Sequence, residues 1–130
     1  MLKTCATVRG KKAFLQGLVE KSSTFKIALY TGEAELNAST VLLPQAGEVS
    51  GQNYERKSVG SPVYSEDDEF AYLGFSGVVE WKNSSISARG AAIYVEELSK
   101  LVLFVVDFGK LVSSTNDSFK VELIEKMFRI

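Results

Sequence analysis

The amino-acid sequence predicts a mainly β protein, an antiparallel β-sandwich or partly closed barrel with one N-terminal helix. Three observations carry this expectation. From residue 25 onward apolar side chains recur with a period of two in several short runs, and Gly, Asn, Ser and Pro separate those runs. A helical period occurs only near the N-terminus. A chain of 130 residues, 45% hydrophobic and 24% charged, has the size and balance of one folded unit, so residues 1–130 are expected to form a single domain.

The elements follow in order. KKAFLQGLVE, Lys11 to Glu20, sets Phe14, Leu15, Leu18 and Val19 on one stripe and predicts a helix over about 11–21. Strands are expected from about 25 to 130. In the first, Phe25, Ile27 and Leu29 alternate with Lys26, Ala28 and Tyr30, the pattern of a half-buried strand. Gly32 to Lys57 reads as a long excursion with one short helical turn over Ala38 to Leu42. Ser58 to Tyr64 is restricted to a sheet edge by Gly60 and Pro62. Glu69 to Phe75 alternates, and Val78 to Lys82 and Ser85 to Ala88 flank a turn at Asn83-Ser84. Gly90 is expected to break the pattern before Ala91 to Glu96. Lys100 to Phe108 is apolar on both faces, with Leu101, Leu103 and Val105 on one and Val102, Phe104, Val106 and Phe108 on the other, which predicts a central strand. Phe119, Val121 and Leu123 alternate with Lys120 and Glu122, and Met127 to Ile130 adds a last short pairing.

The residue inventory narrows the chemistry. Fifteen basic and sixteen acidic side chains leave a net charge of −1, without the broad positive field that phosphate backbones attract, so no nucleic-acid partner is expected. The longest apolar run, Leu101 to Val106, is too short to cross a bilayer, and no membrane is expected as partner. MLKTCATVRGKKAF carries positive charge but no apolar stretch of signal-peptide length. With one cysteine, Cys5, and no histidine, an internal disulfide, the usual zinc sets and a Cys–His nucleophile are all ruled out.

Two stretches invite a sharper reading. Asp107-Phe108-Gly109 matches the magnesium-binding tripeptide of protein kinases, but the Gly-rich loop, the strand lysine and the His-Arg-Asp loop that this chemistry requires are missing from the sequence. The tripeptide is therefore read as the end of a central strand: Phe108 is its last core residue, Gly109 allows a turn, and Asp107 accepts backbone N–H bonds there. Ser65-Glu66-Asp67-Asp68-Glu69 lacks the glycine and the ligand spacing of a calcium loop and reads as a solvated turn. Tyr30, Tyr54, Tyr64, Tyr72, Tyr94 and Trp81 fall mostly at strand alternation positions, which favours packing over stacking on sugars or bases. Neither catalytic nor cofactor nor metal residues are assigned, and the chain is not expected to be an enzyme. One segment is assigned an interface. The excursion from Gly32 to Lys57 is too long for a plain connector and holds Val41, Leu42 and Leu43 together in a polar setting, so these three are expected to dock on a partner.

Four stretches carry a resemblance: FKIALYTGEAELNAST (Phe25 to Thr40), GEVSGQNY (Gly47 to Tyr54), WKNSSISARGAAIY (Trp81 to Tyr94) and VVDFGKLVSSTNDSFKVEL (Val105 to Leu123). In this order and spacing they resemble a group of small virion structural proteins of tailed bacteriophages, and Phe14-Leu15-Gln16-Gly17 resembles the segment before that group's first strand. The resemblance extends from about Val8 onward. It departs at Glu55-Arg56-Lys57, where the group usually has a pair of glycines. It implies a virion structural component. A small β-sandwich is suited to sit on a capsid lattice, so a capsid cement or decoration protein is expected first and a tail or tail-fibre accessory second. Without a signal stretch the chain is expected to be made in the host cytoplasm, and the expected partners in the virion are the major capsid protein or tail proteins, with copies of itself as a homo-oligomer in the particle. A receptor- or glycan-binding module is the remaining alternative.

Overall fold

Alternating apolar residues become strands only where another strand takes up their backbone N–H and C=O groups, so the pairing defines the architecture. The computed structural model describes residues 1–8, 10, 24–69 and 71–129. The described residues form a mainly β protein of antiparallel sheets without a closed barrel. The strands are β1 (Cys5–Ala6), β2 (Phe25–Tyr30), β3 (Lys57–Ser58), β4 (Val63–Glu66), β5 (Ala71–Gly74), β6 (Val78–Ser84), β7 (Ser87–Val95), β8 (Leu101–Ser113), β9 (Asp117–Glu122) and β10 (Phe128–Arg129). A 3₁₀ turn over Glu96–Leu98 joins β7 to β8. The helix expected over 11–21 lies outside the described residues.

The largest sheet has the order β1-β8-β7-β2-β3; a second has the order β10-β5-β4, and β6 pairs with β9. Both faces of the large sheet are apolar. On one face Phe25, Ile27, Leu29, Ala91, Ile93 and Val95 pack against Leu73 and Phe75 near β5, Val79 and Trp81 of β6, and Phe119 and Val121 of β9. On the other, Ala28, Tyr30, Ala92, Tyr94, Val102 and Val105 lie beneath Leu2, Ala34 and Leu36, with Leu43 packed alongside. β2 is thus buried on both faces, whereas its alternation with Lys26 predicted a half-buried strand.

The faces of β8 are also reassigned. Ile93 pairs with Phe104 but Tyr94 pairs with Val102, so Leu103 is an extra residue, a β-bulge. The bulge slips the side-chain phase by one position. Leu103 and Phe104 consequently share the first face, and Val105 joins Val102 on the second.

β8 does not stop at the Asp-Phe-Gly tripeptide; it continues to Ser113. Gly90 pairs with Asp107 and Ala88 with Val112, so residues 108–111 bulge out opposite Arg89 alone. Gly109 supplies the left-handed backbone this needs, at φ 76°. Asp107 Oδ1 accepts the Gly109 N–H at 2.8 Å, a local turn bond. Replacing Asp107 with Ala is expected to cost about 1 kcal/mol, the worth of one exposed turn bond, and to leave calorimetric titration with ATP and magnesium flat for both proteins. Saturable binding by the wild type would refute this structural role.

Further expectations are corrected by pairing. β7 runs straight through Gly90, because a Cβ there would sit 2.5 Å from the Val106 carbonyl: close strand approach, not a break, explains the glycine. Asn83 lies inside β6 at φ 50°, where the register with β9 shifts, and the chain reverses only after Ser84. Lys57–Ser58 and Val63–Glu66 are separate strands, parted by Gly60 at φ 80°. Ala38 to Leu42 contains no helical turn; Thr40 N–H closes a β-turn on Asn37 O at 3.0 Å, and Asn37 Oδ1 accepts Ser39 N–H at 2.9 Å.

Candidate interaction surface

The excursion between β2 and β3 is a cover held to the large sheet along its length. Thr31 N–H donates to Gly47 O at 2.8 Å and Val49 N–H to Leu29 O at 2.9 Å, which extends the edge of β2 beyond its pairing with β3. Between those two pairings the N–H of Leu29 would be open, and the Tyr54 hydroxyl accepts it at 3.0 Å. That hydroxyl in turn donates to Glu48 Oε2 at 2.6 Å. Arg56 grips the same carboxylate with both prongs, Nε on Oε2 at 2.9 Å and Nη2 on Oε1 at 2.8 Å. Its guanidinium lies 5.8 Å from the centre of the Tyr94 ring.

Electrostatics follow from this geometry. Burial pushes the Glu48 carboxyl up, but hydrogen bonds from Arg56 and Tyr54, together with the Arg56 charge, outweigh it and hold the group below the usual carboxylate value. Burial and the bond to Glu48 push the Tyr54 phenol far up; burial and the Glu48 charge do the same to Tyr30. All three groups serve to fasten the cover. Arg56 stands within the Glu55-Arg56-Lys57 stretch that departs from the resembled group, so the clasp was not legible from that resemblance.

The cover carries the predicted interface residues, and the structure divides them. Leu43 is partly buried against the second face of the sheet. Val41 and Leu42 are exposed, at 42% and 53%. They lie on a pinned backbone: Leu42 bridges Leu101, with Leu43 N–H on Lys100 O and Val102 N–H on Val41 O, both at 2.9 Å. The segment thereby continues along the β8 edge that β1 occupies further on, where Cys5 pairs with Val105 and Ala6 with Phe104. Thr7 makes the junction. Its N–H donates to Leu103 O at 3.1 Å and its hydroxyl to Val102 O at 2.8 Å. Val8, 66% exposed, follows, with its N–H on Ala38 O at 2.9 Å. Sequence reasoning passed over Val8, since nothing local links residue 8 to residue 41.

The other predicted surface features are accounted for by internal bonds. Trp81, Tyr30 and Tyr94 are buried, and Trp81 Nε1 donates to Glu55 O at 2.7 Å. An open groove of about 550 Å³ runs between Asn53 to Lys57 and Glu80 to Lys82, but Trp81 beneath it is covered and the Tyr54 hydroxyl is occupied. Its aromatic lining is Trp81, fully buried, and Tyr54, partly buried and stacked on the Trp81 ring at 6.4 Å. The acidic run is divided: Ser65 and Glu66 belong to β4, paired with Tyr72 and Ala71, and only the part from Asp67 to Glu69 turns, where Asp67 accepts the Glu69 N–H at 2.9 Å and the Tyr72 hydroxyl at 2.6 Å. Among the described residues no three carboxylate, thiol or imidazole side chains gather as metal donors. No described helix is long and apolar enough to cross a membrane. Comparison with protein-family models, curated proteins and solved structures found no match.

Proposed function

We propose that the chain is a structural component of a tailed-bacteriophage particle, a capsid cement or decoration protein that docks through the Val8, Val41 and Leu42 surface onto the major capsid protein. In this reading the large sheet and the strands over its first face make a β-sandwich, with the excursion as a second cover. One observation carries the functional reading: exposed aliphatic side chains stand on backbone tied down by hydrogen bonds on the sheet side. A rigid apolar patch loses little entropy when a partner covers it. The resemblance to small virion proteins supplies the partner class. A tail or tail-fibre accessory protein would use the same contacts, and copies per particle separate the two, since a cement protein is present in hundreds and a tail part in a handful. The burial of Trp81, Tyr30 and Tyr94 weighs against a glycan-binding module.

Because the net charge is only −1, attachment should rest on apolar and backbone contacts and should resist salt. Purified protein is mixed with particles assembled without it, sedimented at low and high salt, and counted per particle. Leu42→Asp is expected to remain folded and soluble and to lower occupancy at least about tenfold, since it would bury a charge against an apolar surface. Binding that collapses at moderate salt, or that Leu42→Asp leaves untouched, would refute this docking surface.

A further inference from the structure

Leu42 offers backbone as well as a side chain. Its pairing with Leu101 is made by the residues on either side, through Leu43 N–H to Lys100 O and Val102 N–H to Val41 O. In an antiparallel pair of this kind the N–H and C=O of the middle residue point to the opposite side. No described residue bonds either group of Leu42. The edge is also short. Pro44 has no N–H and its carbonyl accepts the Tyr30 hydroxyl, while the Thr40 N–H is already on Asn37 O. An open donor and acceptor on an exposed strand edge recognise another extended backbone, here over a few residues centred on Leu42.

We propose that this edge binds by strand addition to an extended segment of a neighbouring particle protein. The backbone of that segment exchanges hydrogen bonds with the N–H and C=O of Leu42, and its apolar side chains rest on Val41 and Leu42. This rests on the particle-component reading and names the chemistry of the partner. A second copy of the chain is the competing occupant, with Leu42 facing Leu42 across a two-fold axis. The exposed area argues against it. Val8, Val41 and Leu42, at 66%, 42% and 53% exposure, amount to a small patch, well short of the roughly 1,000 Å² that a stable dimer buries. A partner held in a particle lattice does not depend on this edge alone, because neighbouring contacts raise its effective concentration.

Proline at position 42 separates backbone pairing from side-chain contact. It deletes the outward N–H and leaves the bonds of Leu43 and Val102 available, as prolines on sheet edges do. Wild type, Leu42→Val and Leu42→Pro are compared for binding to particles assembled without the protein, and hydrogen exchange at Leu43 and Val102 reports whether each edge is intact. Leu42→Pro should bind at least about tenfold more weakly than Leu42→Val, which keeps an apolar side chain and the outward N–H, with the free proteins sedimenting as monomers. In bound wild type, exchange at the Leu42 amide should slow at least about tenfold. Should Leu42→Pro lose its edge, that exchange measurement decides. Undiminished binding by an intact Leu42→Pro, or an unprotected Leu42 amide in bound wild type, overturns strand addition and leaves the particle reading standing. Failure of wild type to bind overturns both. Free wild type that dimerises, with Leu42→Pro monomeric, assigns the edge to a second copy and overturns the partner named here.

Discussion

Phe104→Ala is expected to lower stability by about 3–5 kcal/mol and to leave most of the protein insoluble. Phe104 is wholly buried and lies edge-on to Phe75 at a ring-centre distance of 6.3 Å. Phe75 in turn packs on Phe25 at 5.5 Å. These three rings join β8, the end of β5 and β2 across the first face, so the cavity left by alanine opens where three elements meet. Its collapse is opposed by the Leu103 bulge, which puts two adjacent side chains of β8 into the same layer. Leu111, on the same strand, is 53% exposed, and Leu111→Ala should stay within about 0.5 kcal/mol of wild type. Urea denaturation of both variants, with matched m-values, tests the pair. Equal losses at the two positions would mean that the first face is not the main core.

Glu48→Gln has the next largest expected effect, about 2 kcal/mol at neutral pH. The substitution keeps an acceptor for Tyr54 but removes the charge that Arg56 grips. Both side chains are mostly covered, at 17% for Glu48 and 28% for Arg56, so the loss exceeds that of a surface pair and stays below that of a deeply buried one. The sign of the pH dependence follows from the depressed carboxyl. Folding holds Glu48 below the ordinary value of 4.5, so its contribution is complete above that value and is lost as the pH falls through the folded-state pKa. Wild type and Glu48→Gln should therefore differ most at neutral pH and converge as the pH falls from 4.5 through the folded-state pKa. A stability difference that is the same at pH 7 and pH 3 would show that the carboxylate does not hold the cover.

The strands themselves were largely legible. Phe25, Ile27 and Leu29 alternate because one face of β2 meets the main core, and the unbroken apolar run from Leu101 marks a strand covered on both sides. The phase of that run was not legible. A bulge depends on the partner strand, and no pattern within Leu101 to Phe108 reveals that Tyr94 skips Leu103. The second face of β2 was hidden for a related reason: its cover is irregular backbone, whose Ala34, Leu36 and Leu43 follow neither a strand nor a helix period. Gly90 and Gly109 were both legible as special positions but misleading as to purpose, since one admits a neighbouring carbonyl and the other shapes a bulge. Of the candidate surface, Val41 and Leu42 stood out as apolar residues in a polar stretch. Leu43 shared that signal but turns inward, and Val8 enters only through the path of the chain along β8.

That path has a consequence in time. Thr4 hydrogen-bonds to Asp107, 103 positions further along the chain. During synthesis at about 5–20 residues per second, the segment that includes β1 waits on the order of 5–20 s before its partner strand has been made. Through that interval β2 is also without β7 and β8, and of its two faces only the second, beneath Leu2, Ala34 and Leu36, has a cover made of chain already synthesised. The last sheet strand to complete this edge is thus an early segment held in reserve, and the nascent chain is most exposed to mispairing just before β8 emerges.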